Sequence, residues 1–451
     1  MRPKVSSEES ASPTTQRRAL SVEDSEPSRT DMNTFLLRPL FLLVAGLSPA
    51  RIDGAPAENE VLRWNRVVTD ALAAANTDPI TESRDLAIVQ IAVHDAMNAI
   101  ESRNDTYLPP TAPGAGASPE AAVASAAHDT LAALVPATKT TLDQELAKAL
   151  KSIADDDARA RGLELGRRVA AATLAARAKD GADRQVAFPP GTKPGEYRPT
   201  PPDETPAILA HWGNVTPFAL KSGSQFRPTP PPSPDSPQAS RDVAQVSTIG
   251  GQTSSARNAE QSEIARFWYE NSGQGWNRIA RSVAQSKQLD AWDSARLLAL
   301  VNIAMADGFI SGFEAKYHYA FWRPATAIRA AGERDWLSFL PTPPVPDHPS
   351  THTVLGAAAA TVLARFFEND FVAFETTSGA PFAGLTRKFW SFSEAARENG
   401  ASRVLAGIHF PTAVRAGYQL GEDVGTWTFE HALRPRASAA REARDSRSAL
   451  R

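Results

Sequence analysis

The chain has 451 residues, 42% hydrophobic and 22% charged, with a formal net charge of −3 and no cysteine. That length is enough for two or three domains and a sizeable core. The charge balance offers no bulk basicity for nucleic acid, and the missing cysteines exclude disulfides, thiolate metal sites, iron–sulfur clusters and cysteine nucleophiles.

Residues 1–31 are polar and rich in Ser, Glu, Arg and Pro, the composition of a disordered extension. Met32 is a second start, followed by the apolar run from Phe35 to Leu47. The uninterrupted part of that run is about eight residues, signal-peptide size and too short to cross a bilayer. With the small residues Ala55-Pro56-Ala57 behind it, 32–57 reads as an export signal, and the mature protein as secreted or periplasmic. No later stretch suggests stable membrane insertion.

From 58 to 185 the spacing is helical. Val61, Leu62, Trp64, Val67, Val68 and Leu72 recur at three- and four-residue intervals, and 119–182 is Ala-rich with charged outer faces. Residues 186–258 form a connection holding many of the 35 prolines, which belong outside helix interiors. Trp212, Phe218 and Phe226 predict that it wraps over a core rather than extending into solvent. Helical texture returns over 259–432, with candidate helices at 259–269, 274–287, 290–315, 352–368, 383–399 and 412–431. Asp290 can cap the third. The tail 433–451, with six arginines, reads as disordered. The fold class is all-α, a helical bundle preceded by an additional N-terminal helical region.

Three short clusters carry the chemistry. The first contains Lys316 and Arg323-Pro324. Seven residues are close to two helical turns, so a helix would put both cations on one face. The second is Pro349-Ser350-Thr351-His352. Ser350 stands where a helix N-cap belongs, and the free N–H groups that follow make an anion site beside His352. The third is Ser402-Arg403 followed by His409-Phe410-Pro411. Gly407 suits a helix end and Pro411 a helix start, which places His409 at a junction between helices. Taken singly, these are solvated charges, an ordinary cap and a core histidine. Together they supply three cations, a hydroxyl, helix-start amides and two histidines, an inventory for binding a tetrahedral or trigonal-bipyramidal anion.

The clusters resemble the tripartite signature shared by vanadium-dependent haloperoxidases and type 2 phosphatidic acid phosphatases. The signature reads Lys-x6-Arg-Pro, Pro-Ser-Gly-His and Ser-Arg-x5-His-x3-Asp. The order matches, and the resemblance covers about 316–413, with the family bundle extending over most of 259–432. The N-terminal helices and the Pro-rich connection resemble bacterial haloperoxidase-like proteins rather than compact acid phosphatases. The resemblance implies that Lys316, Arg323 and Arg403 bind the oxygens of vanadate or phosphate, with Ser350 and the Thr351 N–H adding hydrogen bonds. It implies that His409 ligates vanadium, or attacks phosphorus in a phosphatase, and that His352 is the acid/base group. The implied cofactor is vanadate, absent in a phosphatase. The implied substrates are small molecules: hydrogen peroxide with a halide and an organic acceptor, or a phosphate ester.

The chain departs from the signature twice. Thr351 replaces the glycine, so its β-branched side chain is expected to crowd the pocket. Ala413 replaces the aspartate after the histidine, which weakens the phosphatase reading unless another acid, such as Asp347, substitutes. His348 is a candidate pocket residue, while His318, His94 and His128 read as structural. Three readings follow: a haloperoxidase-like enzyme, a soluble acid phosphatase with a phosphohistidine at His409, and a catalytically silent bundle that binds an anion or partner. The oligomeric state is not readable from these motifs.

Overall fold

The computed structural model describes residues 58–109 and 113–436. The expected extension 1–31, the signal segment 32–57 and the tail from 437 onward lie outside the described residues. Four of the first five helices begin where a capping side chain meets apolar periodicity. The five are α1 (Glu60–Ala74), α2 (Pro79–Ile100), α3 (Pro119–Leu134), α4 (Lys139–Lys151) and α5 (Asp156–Arg177). Asn59, Asp78, Ser118 and Asp155 each accept an N–H of the first turn.

The Pro-rich stretch then runs without an α-helix to α6 (Pro237–Gly250). This helix lies inside the expected connection. Ser236 caps it and Pro237 takes its first position, where a missing N–H costs no helical hydrogen bond. The remaining helices are α7 (Ala259–Phe267), α8 (Ser272–Ser286), α9 (Ala291–Tyr319), α10 (Pro324–Ala330), α11 (Thr351–Phe366), α12 (Phe392–Leu405) and α13 (Pro411–His431). Asp290 caps α9 through the Asp293 N–H.

The expected helix at 383–399 is corrected by the structure. Strands β1 (Phe374–Thr377) and β2 (Thr386–Phe389) pair antiparallel, with Phe374 opposite Phe389. Along β2 the side chains alternate: Phe389 is buried, and Arg387 turns in to pair with Glu398, Glu260 and Glu263. Period-two burial decides this segment, and α12 starts only after the Ser391 cap.

Helix α9 is the axis of the core. It is apolar and long enough to cross a membrane, yet 94% of its apolar window is buried inside the protein. A buried asparagine chain ties it to the N-terminal helices. Asn65 of α1 donates to Asn277 of α8 at 2.8 Å, and Asn277 exchanges 2.8 Å bonds with Asn302 of α9. Buried amides are tolerated when paired this way, and each pair fixes one arrangement of three helices.

Asp307 of α9 holds the Pro-rich connection. Its fully buried carboxylate accepts the N–H groups of Phe218, Ala219 and Leu220 at 2.6, 2.7 and 2.9 Å. Trp212 and Phe218 are buried beneath the connection, and the Arg177 guanidinium lies 3.8 Å from the Phe218 ring.

Helices α11 and α13 approach at backbone distance. A Cβ at Gly417, Gly421 or Gly425 would come within 2.5, 2.3 or 2.7 Å of the carbonyls of Ser350, Val354 and Ala358. Three small residues one turn apart thus press the start of α11 against α13. That contact fixes the second cluster relative to the third.

Candidate active site

The first cluster departs from its expected geometry. Lys316 lies in the last turn of α9, but the helix stops at Tyr319 and Ala320 takes a left-handed conformation with φ 46°. Phe321 then bridges to Glu196, and Trp322 N–H donates to the Gly195 carbonyl at 2.9 Å. Arg323 is extended and caps α10, with Pro324 at its first position. The two cations therefore converge from a helix end and from the loop beyond it, not along one helical face. The Pro-rich connection, by pairing with 321–322, sets that turn.

Both cations are buried, Lys316 at 0% and Arg323 at 1% exposure. Lys316 Nζ donates to the carbonyls of Pro346 and Asp347 at 2.6 and 3.0 Å. Arg323 donates to Val345, Ile408 and Pro343 carbonyls at 2.7, 2.7 and 3.2 Å. Burial holds the lysine well below its usual range, and the Arg323 charge adds to that depression. Neither buried cation has a full complement of anions, so each gains by meeting one.

Ser350 precedes α11 as its N-cap residue, yet its side chain caps nothing. Its Oγ accepts from Thr353 Oγ1 at 2.9 Å, which leaves the serine proton to donate elsewhere. The N–H groups of Thr351, His352 and Thr353 open the helix, where no carbonyl of the helix itself can accept them. Thr351 is helical, so the left-handed conformation that would favour glycine is not needed here. Nor does its side chain fill the pocket. The methyl packs on Gly312 of α9, where a Cβ would sit 2.4 Å from Thr351 Cγ2. The expected crowding is relieved by the missing side chain at Gly312.

His352 lies one position along. Its Nδ1 contacts Ser272 Oγ at 3.0 Å, while Nε2 is buried without a partner. Burial, helped by the Arg403 charge, holds this imidazole well below its usual range, with the Trp268 carbonyl pulling the other way. The ring is therefore neutral at pH 7.

In the third cluster α12 ends at Leu405, and Gly407 has φ 78° with its α-carbon against the backbone of Gly250. A Cβ there would lie 2.1 Å from the Gly250 carbonyl oxygen, so only glycine fits. The chain then returns, and the Ile408 and His409 N–H groups donate to the Arg403 carbonyl at 3.2 and 3.3 Å. Arg403 is buried, and its Nε has no partner. Burial lowers its guanidinium to about 10. The Tyr269 ring lies 5.5 Å from it.

His409 is 2% exposed and meets two neighbours. Its Nε2 lies 3.1 Å from Arg323 Nη1, and its Nδ1 lies 2.9 Å from Asp347 Oδ1. Burial and then the charges of Arg323, Lys316 and Arg403 hold it well below the usual histidine range. Asp347 is fully buried, and burial pushes its carboxyl up to about 7 against the pull of Arg323 and Lys316. Three buried cations thus face one carboxylate. A site with this imbalance suits an anion and repels a bare metal cation. The unpartnered His352 Nε2 and Arg403 Nε are the orphaned polar atoms an oxyanion would satisfy.

The comparisons agree with this geometry. A family model for the vanadium chloroperoxidase N-terminal domain matches residues 57–210, and one for the second helical-bundle domain of that enzyme matches 296–437. This chain belongs to the vanadium haloperoxidase family. Vanadium chloroperoxidase from Curvularia inaequalis is 25% identical over 409 residues, 68% of this chain and 66% of that protein. The match spans just under two thirds of that relative's length. A bacterial vanadium-dependent iodoperoxidase superposes with TM-score 0.75 at 26% identity, covering 84% of this chain and 97% of its own. A bacterial vanadium-dependent chloroperoxidase in its apo form shares the fold, with TM-score 0.62 at 17% identity over 78% and 94% of the two chains.

Of the site residues expected from the sequence, Lys316, Arg323, Arg403 and His352 all bear electrostatically on His409, and Ser350 and Thr351 precede His352 at the start of α11. His348 adjoins it. Its Nε2 contacts the Thr229 carbonyl at 3.0 Å, and burial pushes it down to about 4. His318 is exposed on α9. His94 pairs with Asp95 at 2.9 Å. Sequence reasoning missed Ser272, because nothing in the sequence couples it to His352, 80 residues further on.

Proposed function

We propose that the protein is a vanadate-dependent haloperoxidase-like enzyme that oxidises a halide with hydrogen peroxide. The observation that carries this reading is the convergence of three buried cations on one histidine, His409, whose Nε2 faces a donor rather than an acceptor. Lys316, Arg323 and Arg403 would hold the oxygens of vanadate, with Ser350 Oγ and the Thr351 N–H as further donors and His409 Nε2 as the ligand. Bound there, vanadate supplies a Lewis-acid centre that activates hydrogen peroxide without changing oxidation state. The chain's own part is charge neutralisation and proton handling. His352, neutral and open at Nε2, accepts a proton there while Ser272 fixes its other nitrogen. The halide-derived oxidant is expected to act on a small organic acceptor. Export is expected from the signal segment 32–57, with its apolar run Phe35 to Leu47, and is checked by N-terminal sequencing of the mature protein.

A second reading is supported by one observation. Asp347 stands beside His409 although Ala413 cannot, which removes the main objection to a phosphohistidine phosphatase. Both readings are tested on purified full-length protein stripped of phosphate, with and without orthovanadate. The assays are peroxide-dependent bromination of an activated diketone and hydrolysis of an aryl phosphate. Bromination that appears only with vanadate is the expected result. Hydrolysis that vanadate inhibits, without bromination, would replace the peroxidase with the phosphatase. Silence in both, with vanadate bound, would favour the silent bundle.

A further inference from the structure

We infer that Asp347 is the positioning residue for His409, holding it in the Nδ1–H tautomer so that the Nε2 lone pair is left for the central atom of the bound oxyanion. The inference rests on the proposed reading of the cage and extends it to a residue outside the three-part signature.

Two neighbours fix the same tautomer. Arg323 Nη1 can only donate, and it lies nearer Nε2, at 3.1 Å, than Nδ1, at 3.5 Å, so Nε2 is the unprotonated nitrogen. The ring proton is then on Nδ1, which lies 2.9 Å from the Asp347 carboxylate. The approach is oblique, an ion-pair contact rather than an aligned hydrogen bond. Neither Asp347 oxygen has an aligned side-chain donor anywhere else. Arg323 Nη1 is its other charged neighbour, at 3.9 Å. The Phe410 N–H reaches it from the backbone, but a fully buried carboxylate so thinly partnered still costs stability. Its place against His409 gives it a use.

The backbone of Asp347 is held from both sides. Its N–H donates to the Phe321 carbonyl at 2.9 Å, and its carbonyl accepts from Lys316 Nζ at 3.0 Å. The carboxylate therefore has little freedom to leave the ring. Position 413 offers no alternative. The Ala413 side chain is buried in an apolar cluster with Val404 and Phe410, and its carbonyl accepts the Ser350 N–H at 2.9 Å. The orienting acid of the third cluster has thus moved into the second, on the approach to Ser350. Partners of this kind, one bond removed from the ligand atom, fix ring orientation and typically shift ligand affinity by about 10–100-fold.

The test uses full-length protein and its Asp347→Ala and Asp347→Asn variants. Affinities are measured for orthovanadate, which takes a ring nitrogen, and for sulfate, which uses the cations alone. Nitrogen-15 histidine spectra of the ligand-free proteins report the tautomer directly. Asp347→Ala is expected to weaken vanadate on the order of tenfold or more, while sulfate is unchanged or tighter because a negative charge has gone. The His409 signals should pass from one tautomer to a mixture. Asp347→Asn, whose amide oxygen still accepts from Nδ1–H, should keep most of the tautomer. Vanadate and sulfate affinities falling together, or a wild-type His409 protonated at Nε2, would overturn the inference. If Asp347→Ala does not fold, the wild-type spectrum and Asp347→Asn decide it. Wild-type protein that ignores vanadate would sink the functional reading instead, and the tautomer spectra would still judge Asp347.

Discussion

His128 and His409 are both buried histidines touching carboxylates, and their proton affinities are pushed in opposite directions. His128 is clamped between α3 and α4, with Nδ1 2.6 Å from Asp129 and Nε2 2.8 Å from Asp143. Both nitrogens are used, and the hydrogen bond to Asp129 leads the effects that raise it above the usual histidine range. His409 has one carboxylate, three cations and deeper burial, and is held well below that range. A structural histidine closes its own valences. The cage histidines do not: His352 leaves Nε2 bare, and His409 offers Nε2 to a guanidinium that an anion can draw away.

The largest effect should come from breaking the open side of this contrast. His352→Ala removes the buried, unpartnered Nε2, and turnover should fall about 10²–10⁴-fold, the usual span for a lost acid/base group. Vanadate affinity, measured by equilibrium dialysis, should change far less. A parallel loss of affinity and turnover would make His352 a binding residue.

An intermediate effect is expected at Glu82, a buried carboxyl with an amide partner but no cation. Gln274 donates to it at 2.6 Å, and burial pushes it up to about 8. Its folded pKa lies above its unfolded one. The associated stability is therefore full below about pH 4.5 and is lost as pH rises toward 8. Glu82→Gln keeps the shape and removes the titration, so at pH 9 the variant should exceed wild type by about 5 kcal/mol. Urea unfolding at pH 5, 7 and 9 checks it, and parallel pH profiles for the two proteins would refute it.

The smallest effect belongs to the closed histidine. His128 is raised, so its contribution is complete below about pH 6.5 and fades as pH rises through its folded value. Its partner Asp129 is lowered despite burial, through its hydrogen bond to His128, so that half fades as pH falls below about 4. His128→Gln should cost about 1 kcal/mol near pH 6 and flatten the profile from 6 to 8. Vanadate binding should be untouched. A change in that binding would couple the N-terminal helices to the cage.

The sequence carried the residues of the cage better than their arrangement. Lys316 and Arg323 were legible as a pair, but the helix break at Ala320 depends on pairing with Glu196, far upstream. The junction at His409 was legible because Gly407 and Pro411 act locally. Asp347 was legible as a candidate substitute for the missing aspartate but not in its position, since its place against His409 is set by contacts to α9. The second strand of the hairpin, 386–389, was read as the start of a helix because it is four residues long, too short for alternation to dominate. Asp307 had a plain signal, the one acid in the apolar stretch 297–313 of α9, but its partners lie in the Pro-rich stretch.

Thr351 and Gly312 deserve to be read as one position split across two helices. The Thr351 methyl occupies the space that a side chain at 312 would take, so one volume is shared between α11 and α9. A search that scores the loop alone sees a damaged signature. Scored as a pair, the same two residues fit each other, and a side chain at 312 would push Thr351 out of its place.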